Sequence, residues 1–161
     1  MTAFPDSVSF KLVDQNGGQP ASNVAVQLTL YAHRKDNYHV GFVVSDQDGI
    51  VTFTRADCLK EIENSKLTFL MDYVSTLEEC LPKVSLEIIL ESQIKKSIEL
   101  RRTRKELFQK WDCSEEYIRR LETCNNHLYV PDQVFFEEAA LWQPGPITIK
   151  IKRRKTGEKS A

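Results

Sequence analysis

A mainly β fold with an α-helical insertion, two stacked sheets interrupted late in the chain by a helical hairpin, is what this sequence predicts. Three observations predict it. Short apolar runs alternate with polar residues at a period of two and recur at spacings of about 8–14 residues, the pattern of a sandwich or barrel. Turns rich in Asp, Asn and Gly separate these runs. From Ser92 the period lengthens to three and four, and glycine and proline vanish until Pro131.

Val8, Phe10 and Leu12 alternate with Ser9, Lys11 and Val13 as a first strand. "DQNGGQP" breaks it, and Val24, Val26, Leu28 and Leu30 make the apolar side of a second. Past the polar "HRKDN", Tyr38, Val40, Phe42 and Val44 continue the alternation on one face. "SDQDG" then turns the chain into a short strand from Ile50 to Thr54. Asp57 is placed to cap a short helix with Cys58, Leu59 and Ile62 on one side. "SKLTFLMDYV" reads as β, and "STLEECL" as a helical turn or two, opened by a Ser75–Glu78 capping box and ended by Pro82. "KVSLEIILE" resumes the strand pattern, with Val84, Leu86, Ile88 and Leu90 on one face.

"SQIKKSIELRRTRKELFQKW" is rich in strong helix formers, with a narrow apolar stripe through Ile94 and Ile98 and charged residues elsewhere. Asp112 or Ser114 caps a second helix that carries Tyr117, Ile118, Leu121 and Cys124 on one face, and Asn125-Asn126 reads as a left-handed stop. After a short strand near Pro131, "PGPITIKIKRRK" sets Ile147, Ile149 and Ile151 against Thr148, Lys150 and Lys152, an edge strand with lysines on its wet face. The expected organisation is a single domain over 1–161. Its β body is built from 7–91 and 127–154, with a helical insertion over 92–126 and a flexible tail over 155–161.

Composition narrows the class. Of the 161 residues 41% are hydrophobic and 28% charged, an ordinary globular balance. No apolar run approaches the roughly 18 residues of a membrane helix, and the N-terminus has neither the basic nor the apolar region of a secretory signal, so a cytoplasmic protein is expected. In that compartment Cys58, Cys80, Cys113 and Cys124 are expected as reduced thiols. Cys124-x-x-His127 offers two zinc ligands where a site needs three or four, so no metal and no cofactor is expected. The formal charge of −1 hides an asymmetry. Residues 1–91 hold 7 Lys and Arg against 13 Asp and Glu, whereas residues 92–161 hold 15 against 10.

The first 75 or so residues carry two spaced motifs. Asp14, Gly18, Pro20, Val24, Val26 and Leu28 fit "D-x-x-x-G-x-P" followed by an alternating strand, and Ser45-Asp46-Gln47-Asp48-Gly49 with Phe53 fits a "T-D-x-D-G" turn and strand. In these the chain resembles the small prealbumin-like sandwiches: the transthyretin-like, carboxypeptidase-regulatory-like and Cna-B-type domains. The resemblance implies a Greek-key prealbumin-like sandwich over about half of the chain and says nothing of function. The helical stretch departs from that pattern. So does the chemistry of the hydroxyisourate hydrolases of this fold, whose first-strand His and Tyr-Arg-Gly-Ser tail are both missing. "DQDG" could also begin a calcium loop, but Ile50, Val51, Thr52 and Phe53 follow where oxygen ligands are needed, so a hairpin turn with a left-handed Gly49 is expected.

No nucleophile elbow, phosphate loop or dinucleotide glycine signature occurs, and His33, His39 and His127 stand beside no Ser or Cys nucleophile motif. The favoured function is therefore a non-enzymatic protein–protein interaction module, an accessory subunit of a prokaryotic multiprotein system of defence or regulatory type. Leu107, Phe108 and Trp111 on the helical insertion, with Trp142, are the partner-binding candidates, as aromatics anchor interfaces. One alternative is nucleic-acid binding through the insertion and tail, with Arg101, Arg102, Arg104, Lys105, Arg119 and Arg120 on phosphates. Another is a small hydrolase, which needs a pocket around His33 or His39. No membrane partner is expected.

Overall fold

The alternating runs do form strands. A computed structural model of the chain describes residues 5–31, 37–68, 84–104, 114–141, 143 and 145–155. Among these, seven strands build two sheets. Strands β1 (Ser7–Asp14), β4 (Ile50–Thr54) and β7 (Ile147–Ile151) form one, in the order β4-β1-β7, with β1 antiparallel to β4 and parallel to β7. Strands β2 (Ala25–Tyr31), β3 (Asn37–Val44), β5 (Val84–Ile88) and β6 (Asp132–Phe136) form the other, antiparallel throughout, in the order β3-β2-β5-β6. Alternate side chains of both sheets fill one core, in which Phe10, Leu12, Leu28, Leu30 and Phe53 are fully buried. Phe10 links the layers. Its ring lies 6.2 Å from that of Phe53, edge-on, and 5.2 Å from that of Phe136 on the four-stranded sheet.

Gly49 takes the left-handed φ of 77° expected of it, and a Cβ there would stand 2.4 Å from Leu12 O, so both conformation and space require glycine. Asp46 Oδ1 accepts from the amides of Asp48 and Ile50 at 2.9 Å each, which ties it into the turn. The turn is not a hairpin, however. β3 and β4 belong to different sheets, so Ser45–Gly49 carries the chain across the core, with buried Ser45 Oγ donating to Ala21 O at 2.7 Å and accepting from Val24 N at 2.9 Å.

Helix α1 (Arg55–Thr68) follows at once. Asp57 is not its cap. Thr54 is: Thr54 Oγ1 accepts from Asp57 N (3.0 Å) while Asp57 Oδ2 accepts from Thr54 N (3.1 Å), a reciprocal capping box. Cys58 and Ile62, four residues apart, are buried in the core, whereas Leu59 is rotated away and 47% exposed. With no Gly or Pro to stop it, α1 runs through residues 65–68, which the strand pattern of "SKLTFLMDYV" had claimed; the remainder of that run and "STLEECL" lie outside the described residues. α1 packs against β3 and β4 and so covers one open side between the sheets. On the other side Val130 N donates to Lys152 O and Arg154 N to Leu128 O, at 2.8 Å each, which stitches the approach to β6 onto the end of β7.

β5 ends at Ile88, and Leu90 is the N-cap of helix α2 (Glu91–Thr103) rather than a strand residue. Helix α3 (Glu115–Glu122) is capped by Ser114, whose Oγ accepts from Tyr117 N. It does not end in a left-handed residue: Asn125 has φ −96° and leads into a 3-10 turn, Asn126–Leu128. A short helix, α4 (Glu138–Leu141), precedes β7 and buries Leu141 in the core. Among the described residues no helix is long and apolar enough to cross a membrane.

Candidate functional site

The two helices of the insertion sit on this chain's own four-stranded sheet, and one extra residue in β3 puts them there. Leu28 pairs with Val40, but Val26 pairs with Val43, so β3 holds one residue more than β2 between these pairs, a bulge at Gly41–Phe42. The strand pattern places Tyr38, Val40, Phe42 and Val44 on one face. The bulge splits them: Tyr38 and Val40 enter the main core, while Phe42 and Val44 turn outward with Ala25 and Ile89. Against that outward patch pack Ile94 and Ile98 of α2 and Tyr117 and Leu121 of α3, with Cys124 beyond. The spacing of these residues is the three-and-four stripe of the sequence, and the sheet is what it covers.

Polar groups fasten the docking. Asn126 is 2% exposed, and its side chain accepts from Ala25 N at 2.7 Å and donates to Ala25 O at 2.9 Å and Ile89 O at 2.8 Å. One amide thus satisfies backbone groups at the ends of both β2 and β5. Asn125 Nδ2 donates to Ser22 O (3.1 Å), Asn125 N to Asn23 O (2.7 Å), and Asn23 Nδ2 to Thr123 O (2.6 Å). Tyr117 OH donates to Phe42 O, and the buried Arg101 guanidinium lies 5.9 Å from the Phe42 ring centre and 5.5 Å from that of Tyr117, its Nη1 donating to Ser97 Oγ. Gly41 lies beside it, where a Cβ would stand 3.7 Å from Arg101 Nη2, an ordinary van der Waals contact.

Docked this way, the helices leave a groove of about 520 Å3 between α2 and the segment from Leu121 to His127. Ile94, Ile98 and Leu121 make its floor, and Cys124 and His127 one end. Glu91, paired with Lys95 at 3.2 Å, and Glu122 make a charged rim. Burial pushes the Cys124 thiol above its ordinary range, which lowers its thiolate fraction at neutral pH.

The residues singled out from sequence fare differently. Leu107, Phe108, Trp111 and Trp142 lie outside the described residues, as do Lys105, His33, Cys80, Cys113 and the tail from 156. The arginines do not share one open face. Arg101 is buried, Arg102 pairs with Glu122 at 2.7 Å and Glu115 at 3.6 Å, and Arg120 Nη2 reaches Val44 O at 3.5 Å; Arg104 and Arg119 are exposed. His39 lies on the outer face of the four-stranded sheet, its Nδ1 3.0 Å from Thr29 Oγ1, whose hydroxyl donates to Glu87 Oε1 at 3.0 Å. Gln133 Nε2 adds a 3.0 Å bond to the same oxygen. That row spends its donors on neighbours along the sheet. Asn126 and the groove were not read from sequence. The signal for the first was an Asn-Asn pair, taken as a stop. The signal for the second was the stripe itself.

Compared with known protein families, with curated proteins and with solved structures, the chain matches none.

Proposed function

We propose that this chain is a non-enzymatic protein–protein interaction module, an accessory subunit working in the cytoplasm, whose β body is a Greek-key sandwich of prealbumin-like type. The observation that carries the reading is the α2–α3 groove. Its apolar floor is presented by helices already fixed to the sheet, so a partner would meet a preformed surface and lose little entropy in ordering it. The occupant we assign is an amphipathic helical segment of another protein. Such a segment lays side chains at i, i+3 or i+4, and i+7 into an apolar groove between charged rims. The volume, about 520 Å3, suits a few such side chains.

Selection of short amphipathic peptides against the intact protein tests this. Enriched peptides should share that apolar spacing, and an Ile98→Glu variant that keeps its native circular dichroism below its own, lowered, urea midpoint should bind them at least tenfold more weakly. Failure to enrich any peptide, or equal binding to the variant, overturns the assignment.

A further inference from the structure

Beyond Lys95 of the groove rim, the chain displays a separate set of cations on the far side of the three-stranded sheet. The outward positions of β1, β4 and β7 follow from the register: Ser9 opposite Thr52, Lys11 opposite Ile50 and Thr148, Val13 opposite Lys150. Lys152 continues the same side one step beyond β7. Ser9 Oγ and Thr52 Oγ1 lie 2.8 Å apart, and Thr52, Thr148, Lys150 and Lys152 are exposed while Lys11 is half-buried. No carboxylate occupies an outward position on the three strands. Of the nearby acids, Asp14 takes Asn16 N (2.9 Å) and Arg153 Nε (3.2 Å) and Asp46 caps its own turn, while Asp6 and Asp48 are exposed at the ends of β1 and β4. Lys11, Lys150 and Lys152 carry no ion pair among the described residues.

We infer that this face docks on the phosphodiester backbone of duplex nucleic acid, without reading its sequence. Lysines and hydroxyls are the groups that contact phosphate and sugar. The face carries no aromatic ring on which an unpaired base could stack, which disfavours a single strand. Of its outward apolar side chains Val13 is buried and Ile50 half-buried, so the face offers little for an anionic membrane surface to take up. The charge complementarity is local, since the whole chain is formally −1.

Fluorescence anisotropy with the intact protein and a short mixed-sequence duplex decides the matter. Three neutralised phosphates give a log–log salt slope of about −2.7, so affinity should fall roughly 40-fold between about 50 and 200 mM salt. The variant Lys11→Glu/Lys150→Glu/Lys152→Glu should bind at least tenfold more weakly at low salt, and the milder Lys→Gln triple should flatten the slope. Arg119→Glu should leave both unchanged. Undiminished binding by both triples overturns the inference, as does a duplex that fails to bind. Tighter binding to vesicles of anionic lipid than to duplex also overturns it. Because Ile98 lies on the other sheet's helices, the peptide experiment and this one fail independently.

Discussion

The chain holds two sets of cations, the arginines of α2–α3 and the lysines of β1 and β7, and they have opposite fates. In the sequence the arginines lie in a helical stretch rich in Lys and Arg, while the terminal "KIKRRK" is the stronger basic cluster. In the fold Arg101 is buried between two rings, and Arg102 and Arg120 are spent on Glu122 and Val44 O. Lys150 and Lys152 alternate with isoleucines and Lys11 with Phe10 and Leu12, so all three lie on the side of the sheet away from the core, where the strands place no carboxylate. A field at a surface depends on which charges lack a neighbour of opposite sign, and a count along the chain does not report that.

If the helical side is structural, its substitutions should cost stability and those of the lysine face should not. Asn126→Ala removes three hydrogen bonds to buried backbone groups and should lower the unfolding free energy by about 3 kcal/mol, read as a shifted urea midpoint. Arg101→Ala should cost about 2 kcal/mol through lost packing and ring contacts; a value near zero would move Arg101 to the free set. Arg102→Ala breaks an exposed ion pair and should cost below about 1 kcal/mol, less still at high salt. The lysine triple should change stability by no more than about 0.5 kcal/mol, the usual range for surface positions. Cys124 gives the smallest effect. Because burial raises its pKa, the thiolate fraction in the folded chain lies below that of an ordinary cysteine at every pH near neutrality, so alkylation by iodoacetamide should be slower than in the urea-unfolded chain and should go on rising with pH after the unfolded chain's rate has levelled off.

Much of the fold is legible because its strands are half-buried and keep a strict period. Val8, Phe10 and Leu12, or Ile149 and Ile151, announce their inward face without help. Gly49 is legible for the same kind of local reason, a turn that only glycine fits. The bulge was harder. Tyr38, Val40, Phe42 and Val44 keep perfect alternation, and the change of face after Val40 leaves one trace, the glycine inside a strand at position 41. α1 is longer than expected because a 14-residue run without a breaker continues past its apolar signal. The site was least legible. The stripe of Ile94, Ile98 and Leu121 was visible, but which side of it meets the sheet and which opens as a groove depends on that bulge and on Asn126, both long-range facts.

The docking of α2–α3 on the sheet underlies the division between structural and displayed charge, and native-state hydrogen exchange tests it most directly. The amides of α2 and α3 should open with a free energy close to that of β2 and β5, and Asn126→Ala should lower both together. Helices that exchange freely while the sheet stays protected, unaltered by Asn126→Ala, would contradict the account.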